Sequence, residues 1–123
     1  MALVERWFAL FTARDLPGLI ELLSEDTMAT TADGEVFMGH AGFAQFFAER
    51  VLAYPDHKAQ VASIEDLGDG FVLVKATIER QTVGGEIEAL PGAWMVHVSA
   101  GKIASSSYYR SESAARKLFT VRG

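Results

Sequence analysis

Cysteine is absent from the 123-residue chain. That excludes disulfides, thiolate metal sites and cysteine nucleophiles, and it leaves the redox compartment open. Basic charge is in short supply: 11 Lys+Arg stand against 16 Asp+Glu, a formal net charge of −5. A nucleic-acid partner or an anionic membrane bound through a basic face is therefore not expected. No apolar run approaches the roughly 18 residues of a membrane span. Met1-Ala2-Leu3 opens an amphipathic pattern rather than a signal peptide, and the expected location is the cytoplasm. The three histidines, His40, His57 and His97, lie too far apart for metal-ligand spacing, and Gly84-Gly85 is a hairpin tip rather than a phosphate loop. Neither a metal nor a cofactor is expected.

What is present is a core. Half of the residues are apolar and 22% are charged, the balance of a folded domain of this size. No linker, repeat or low-complexity tract divides the chain, so residues 1–123 read as one domain. Leu3, Val4, Trp7, Phe8, Leu10 and Phe11 recur at helical spacing. Asp15 reads as an N-cap, followed by Pro17 and by Leu19, Ile20, Leu22 and Leu23, which make a second short helix. From Asp26 the period changes, Thr27–Thr31 reads as a strand, Asp33-Gly34 signals a hairpin, and Glu35 to Met38 returns. After Gly39 a third helix runs to about Tyr54, with Phe43, Phe46, Phe47 and Val51 inward. Four strands follow: His57–Leu67, Phe71–Thr82, Glu86–Ser99 with a break at Pro91-Gly92, and Lys102–Arg110. Ser111 caps a last short helix through Phe119. The order ααββαββββ, with that C-terminal helix, is an α+β domain: a curved, mostly antiparallel sheet with helices against one face.

Alternation along the strands separates inside from outside. Val72, Val74, Ala76, Ile78 and Arg80 share a face and Lys75, Thr77, Glu79 and Gln81 share the other, so Arg80 extends the inward stripe. An inward guanidinium needs an acceptor: a ligand, ordered water, or an acid on the adjoining strand such as Glu88. In Ala93–Ser99 neither the Ala93, Met95, His97 set nor the Trp94, Val96, Val98 set is charged. Helices cover one face only, so the second face, taken as that of Trp94, Val96 and Val98, is expected to meet a partner subunit. The parity of Ile103–Arg110 is not decided by its pattern.

The chain resembles the nuclear transport factor 2-like superfamily, of the SnoaL-like kind. The resemblance spans about residues 2 to 119. It is carried by Glu5-Arg6-Trp7-Phe8-Ala9-Leu10, Arg14-Asp15-Leu16, Leu22-Leu23-Ser24-Glu25-Asp26, Gly39-His40-Ala41-Gly42-Phe43, Phe46-Phe47, Gly101-Lys102-Ile103 and Tyr108-Tyr109-Arg110-Ser111-Glu112. It implies a cone whose sheet wraps on three helices around a deep apolar pocket, in a homodimer. The fold hosts isomerases, dehydratases, epoxide hydrolases, cyclases and binding modules, so it does not fix function. The tyrosine, base aspartate and protonated aspartate of ketosteroid isomerases fall here on Trp7, Thr31 and Ala93, none of which exchanges a proton near neutral pH. Limonene epoxide hydrolases resemble the chain at Glu79-Arg80, but their aspartate positions fall on Thr82 and Tyr108. The late aspartate of SnoaL-like cyclases has no counterpart, since no aspartate follows Asp69.

The expected function is therefore the binding of a small apolar molecule, with Trp7, Phe11, Thr31, Arg80, Met95, His97 and Tyr108 as ligand-binding residues. One alternative is a lyase, isomerase or cyclase acting on a hydrophobic, carbonyl-bearing substrate, with His97 and Tyr108 as catalytic candidates. Another is a structural or partner-binding dimer whose pocket is filled by its own side chains. His40 reads as local packing at the start of the third helix. Asp33 and Glu35 read as solvated charge beside a turn.

Overall fold

Helix α1 (Ala2–Thr12) buries Val4, Trp7, Phe8 and Phe11, which recur at i, i+3, i+4 and i+7 and so lie on one face. A computed structural model of the chain describes residues 2–52, 58–82 and 84–122. The corner after α1 is made by Arg14, left-handed at φ 59°, with the Asp15 amide donating back to the Leu10 carbonyl. Asp15 then caps α2 (Leu16–Glu21), its Oδ1 accepting from the Gly18 amide at 3.0 Å, with Pro17 in the first turn.

Strand β1 (Leu23–Thr30) begins four residues before Thr27. The Gly34 turn, at φ 85°, returns the chain as β2 (Val36–Met38). Helix α3 (Gly39–Phe47) continues into a π-helical turn over Ala48–Leu52. The expected helix end at Tyr54 and strand start at His57 lie outside the described residues. Four strands follow, β3 (Lys58–Gly68), β4 (Phe71–Gln81), β5 (Ile87–Ser99) and β6 (Lys102–Tyr109), and then α4 (Glu112–Arg122). Asp69 and Gly70 both have positive φ, 54° and 83°, the geometry of a tight hairpin whose twist matches its strands.

The six strands form one sheet in the order β2-β1-β6-β5-β4-β3, in which only the β1–β6 pair is parallel. Register shifts in β3 and between His97 and Val98 mark bulges, which bend the strands and curve the sheet. Val98 thereby pairs with Ile103, which is fully buried. The expected α+β architecture is the one found.

Two expectations about β5 are corrected. The strand runs unbroken through Pro91-Gly92. Its pairing to β6 begins only at Ala93, so Pro91 lies where the strand has β4 alone as neighbour and a missing amide is tolerated. The face of Trp94, Val96 and Val98 is the inner one: these residues pack with α1 and α3 in the main core, and the Trp94 ring meets Phe8 edge-on at 5.5 Å. The outer face carries Ala93 and Met95, buried with Leu73 beneath Ala115 of α4. The second cover of β5 is thus the chain's own C-terminal helix. No helix among the described residues is long and apolar enough to cross a membrane.

Candidate functional site

Between the inner face of the sheet and helices α1 and α3 lies a cavity of about 470 Å³. Trp7 and Phe11 reach it from α1, Phe46 and Val51 from α3 and the turn after it, Ile78 from β4, and Leu90 and Trp94 from β5. The apolar end is fixed by an aromatic network: Trp7 meets Phe8 edge-on at 5.1 Å, and Phe11 meets Phe47 edge-on at 5.8 Å. The Trp7 indole N–H is buried and has no hydrogen-bond partner among the described residues.

The rim is polar and built largely from arginine. Arg80 and Glu88 face each other across β4 and β5, and Arg80 Nε donates to Glu88 Oε2 at 2.9 Å. The acid expected from the adjoining strand is therefore the acceptor found. Arg110 donates to Asp33 at 2.8 Å, and Arg50 to Glu35, so the turn between β1 and β2 is tied at its tip by two ion pairs. Thr31 steadies the same turn, its hydroxyl accepting from the Glu35 amide at 3.1 Å.

Tyr108 joins rim to wall. It lies opposite Trp94 in the β5–β6 register, with ring centroids 4.6 Å apart. A Cβ on Gly92 would fall 2.6 Å from its hydroxyl oxygen, so this glycine makes room for the ring. Burial pushes the Tyr108 phenol above its ordinary value of 10, against the pull of the Arg110 and Arg80 charges. The hydroxyl therefore keeps its proton at neutral pH and can donate.

Of the residues singled out from sequence, Trp7, Phe11, Thr31, Arg80 and Tyr108 come together at this cavity. Met95 and His97 do not. They point to the outer face, where Met95 packs beneath α4 and the His97 ring stacks on Phe71 at 4.4 Å. The physical reason is parity: with Trp94 inside, its odd-numbered neighbours must be outside. A base role for His97 beside Arg80 and Tyr108 is corrected accordingly. His40 Nε2 sits 3.0 Å from the Leu23 carbonyl, which can only accept, so this nitrogen carries the hydrogen and the residue is a local tie. Among the described residues no cluster of His, Asp and Glu is arranged to hold a metal. Sequence reasoning missed Arg50 and Arg110 as lining residues. Arg110 was accessible through Tyr108, since residues two apart on a strand share a face; Arg50 carried no such signal.

The sequence matches the SnoaL-like domain family over residues 4–106. The chain belongs to that family. No curated protein matches it. Among solved structures, a Catenulispora acidiphila protein with a ketosteroid isomerase-like fold, in complex with trimethylamine, superposes with a TM-score of 0.79 at 21% identity, over 90% of this chain and 86% of that one. A candidate polyketide cyclase from Pseudomonas putida gives 0.71 at 28% identity, over 87% of each chain. A Mycobacterium tuberculosis protein in complex with estradiol-17beta-hemisuccinate gives 0.77 at 16% identity, over 88% of this chain and 90% of that one.

Proposed function

We propose that this SnoaL-like chain is a binding protein for a small, largely apolar molecule, held in the cavity between the sheet and helices α1 and α3. The observation that carries the reading is the cavity itself. At about 470 Å³ it falls in the size range of ligand sites, roughly 300–1,000 Å³, with an apolar wall and a few polar groups at one end. A dimer whose cone is filled by its own side chains is disfavoured by the same cavity. The complexes with trimethylamine and with estradiol-17beta-hemisuccinate in the structural relatives support small-molecule binding as a use of this fold.

Binding is favoured over acid–base catalysis by the lining. It contains no histidine among the described residues, and its one carboxylate, Asp33, already accepts from Arg110. A cytoplasmic location and a homodimer remain parts of the proposal. A dimer interface would have to avoid the Trp94, Val96 and Val98 face, which the core occupies. Native mass spectrometry of the protein purified from its own host tests the reading. A small-molecule adduct released by unfolding is the expected result. A bare chain, unchanged after incubation with a panel of apolar compounds, would count against it.

A further inference from the structure

Although the whole chain is acidic, with a formal net charge of −5, the lining of its cavity has the opposite balance. Arg50, Arg80 and Arg110 line it, and Asp33 is the only acid that does so among the described residues. The polar lining leans toward donors, since a guanidinium has five donors and no acceptor while the hydroxyls of Thr30, Thr31, Ser106 and Tyr108 can do both. The Tyr108 hydroxyl, half-buried at the cavity, makes no hydrogen bond to a described residue. Asp33 accepts from Arg110 through Oδ1. The strongest donors a molecule meets at the rim are the guanidiniums, and an acceptor on the ligand is the group that uses them.

Resting on the reading of the cavity as a ligand site, we propose that it selects apolar molecules bearing an oxyanion, such as a carboxylate, and that Tyr108 and Arg110 read that group. Arg110 directly follows the last residue of β6, two positions beyond Tyr108, and both line the cavity. The Arg110–Asp33 pair is the most exposed of the rim's ion pairs, with side chains 77% and 67% accessible. Such a pair contributes little, so a ligand carboxylate can join or replace Asp33 at Arg110 at small cost. Arg80, whose Nε is given to Glu88, adds positive charge beside the Tyr108 hydroxyl. An ammonium group gains nothing from these guanidiniums, each of which has its own carboxylate: Arg50 with Glu35, Arg80 with Glu88 and Arg110 with Asp33.

The test is a matched set of probes titrated calorimetrically at physiological ionic strength: 2-naphthylacetate, 2-(2-naphthyl)ethanol and 2-(2-naphthyl)ethylammonium. Because Arg110 is exposed, the carboxylate should bind about two- to fivefold tighter than the alcohol, with the ammonium weakest. Arg110→Gln and, independently, Tyr108→Phe should each bring the carboxylate-to-alcohol ratio toward one, with near-ultraviolet circular dichroism confirming the fold. Equal affinities for all three probes, or a preference for the alcohol or ammonium, would overturn the selectivity and leave the cavity reading standing. Binding of none of them would overturn both. A carboxylate preference that survives both substitutions would remove Tyr108 and Arg110 from the role.

Discussion

From Ala93 to Ser99 the two faces of strand β5 are equally uncharged, yet the molecule covers them in different ways. The inner face, with Trp94, Val96 and Val98, is closed by helices from the first half of the chain and by a continuous aromatic cluster around Phe43 and Phe47. The outer face, with Ala93 and Met95, is closed among the described residues by α4, through Ala115 and a small patch that includes Leu73. Ion pairs border that patch: Lys75 with Glu112, and Arg116 with Glu65 and Glu112. One face is held by shape and area, the other by a small apolar patch with charged edges. An uncharged strand face thus signals a cover without saying whose it is. Here no second subunit is required to explain it.

Stability measurements can break this contrast. Phe47 is completely buried on the inner side, and Phe47→Ala should lower unfolding stability by about 3–5 kcal/mol, as large-to-small changes in well-packed cores do. Leu73 is almost as buried on the outer side, and Leu73→Ala should cost less, about 2–4 kcal/mol, because a single terminal helix can settle into the space. Urea denaturation of both variants gives the comparison. A negligible loss for Leu73→Ala would mean that α4 does not cover that face in solution.

The same strand shows why the fold was legible in the sequence and the site only partly so. Helical periodicity and the Asp33-Gly34 turn are local signals, and they locate α1, α2, β1 and β2. Which face of a later strand looks inward depends on register, which is non-local. The pairing of Arg80 with Glu88 was within reach, and continuing the same antiparallel register places Val74 opposite Trp94, hence Trp94 inside. Expecting a break at Pro91-Gly92 cut that chain of counting, because one irregular residue flips every side chain beyond it. Placing Met95 and His97 in the cavity, and Trp94 outside, takes the opposite parity, which the uncharged pattern of Ala93–Ser99 does not exclude. Trp7, Phe11, Thr31, Arg80 and Tyr108 lie on elements whose faces did not depend on it, or whose place came from the family pattern.

Gly92 is where the inner face gives way from packed core to open rim, and it sharpens the contrast at smaller cost. Its α-hydrogen leaves the room that the Tyr108 ring occupies: a Cβ there would lie 2.7 Å from the ring's Cζ. Gly92→Ala should displace the ring, at about 1–3 kcal/mol for overpacking. The tyrosine signal in near-ultraviolet circular dichroism should change while helix content does not. An unaltered spectrum with full stability would show that the ring does not rest on Gly92.

The smallest effect belongs to the charged border of the outer face. Hydrogen bonds from Arg116, and then from Lys75, hold the Glu112 carboxyl below its ordinary value of 4.5. Glu112 also lies in the first turn of α4, where a negative charge meets the positive end of the helix. A carboxyl whose folded value is depressed adds stability that is fully present above the unfolded value and is lost as the pH falls through the folded one. Wild type should therefore melt slightly above Glu112→Gln at pH 7, and the gap should close as the pH drops below 4.5. Because the group is exposed, added salt should also narrow the gap at neutral pH. The measurement is the difference in thermal midpoint between the two proteins, followed from pH 7 to pH 3 at low and high ionic strength. Taking the difference cancels every other carboxylate that titrates in that range. A gap that persists undiminished at pH 3 would mean that Glu112 contributes through packing, and that charge does not hold the edge of α4.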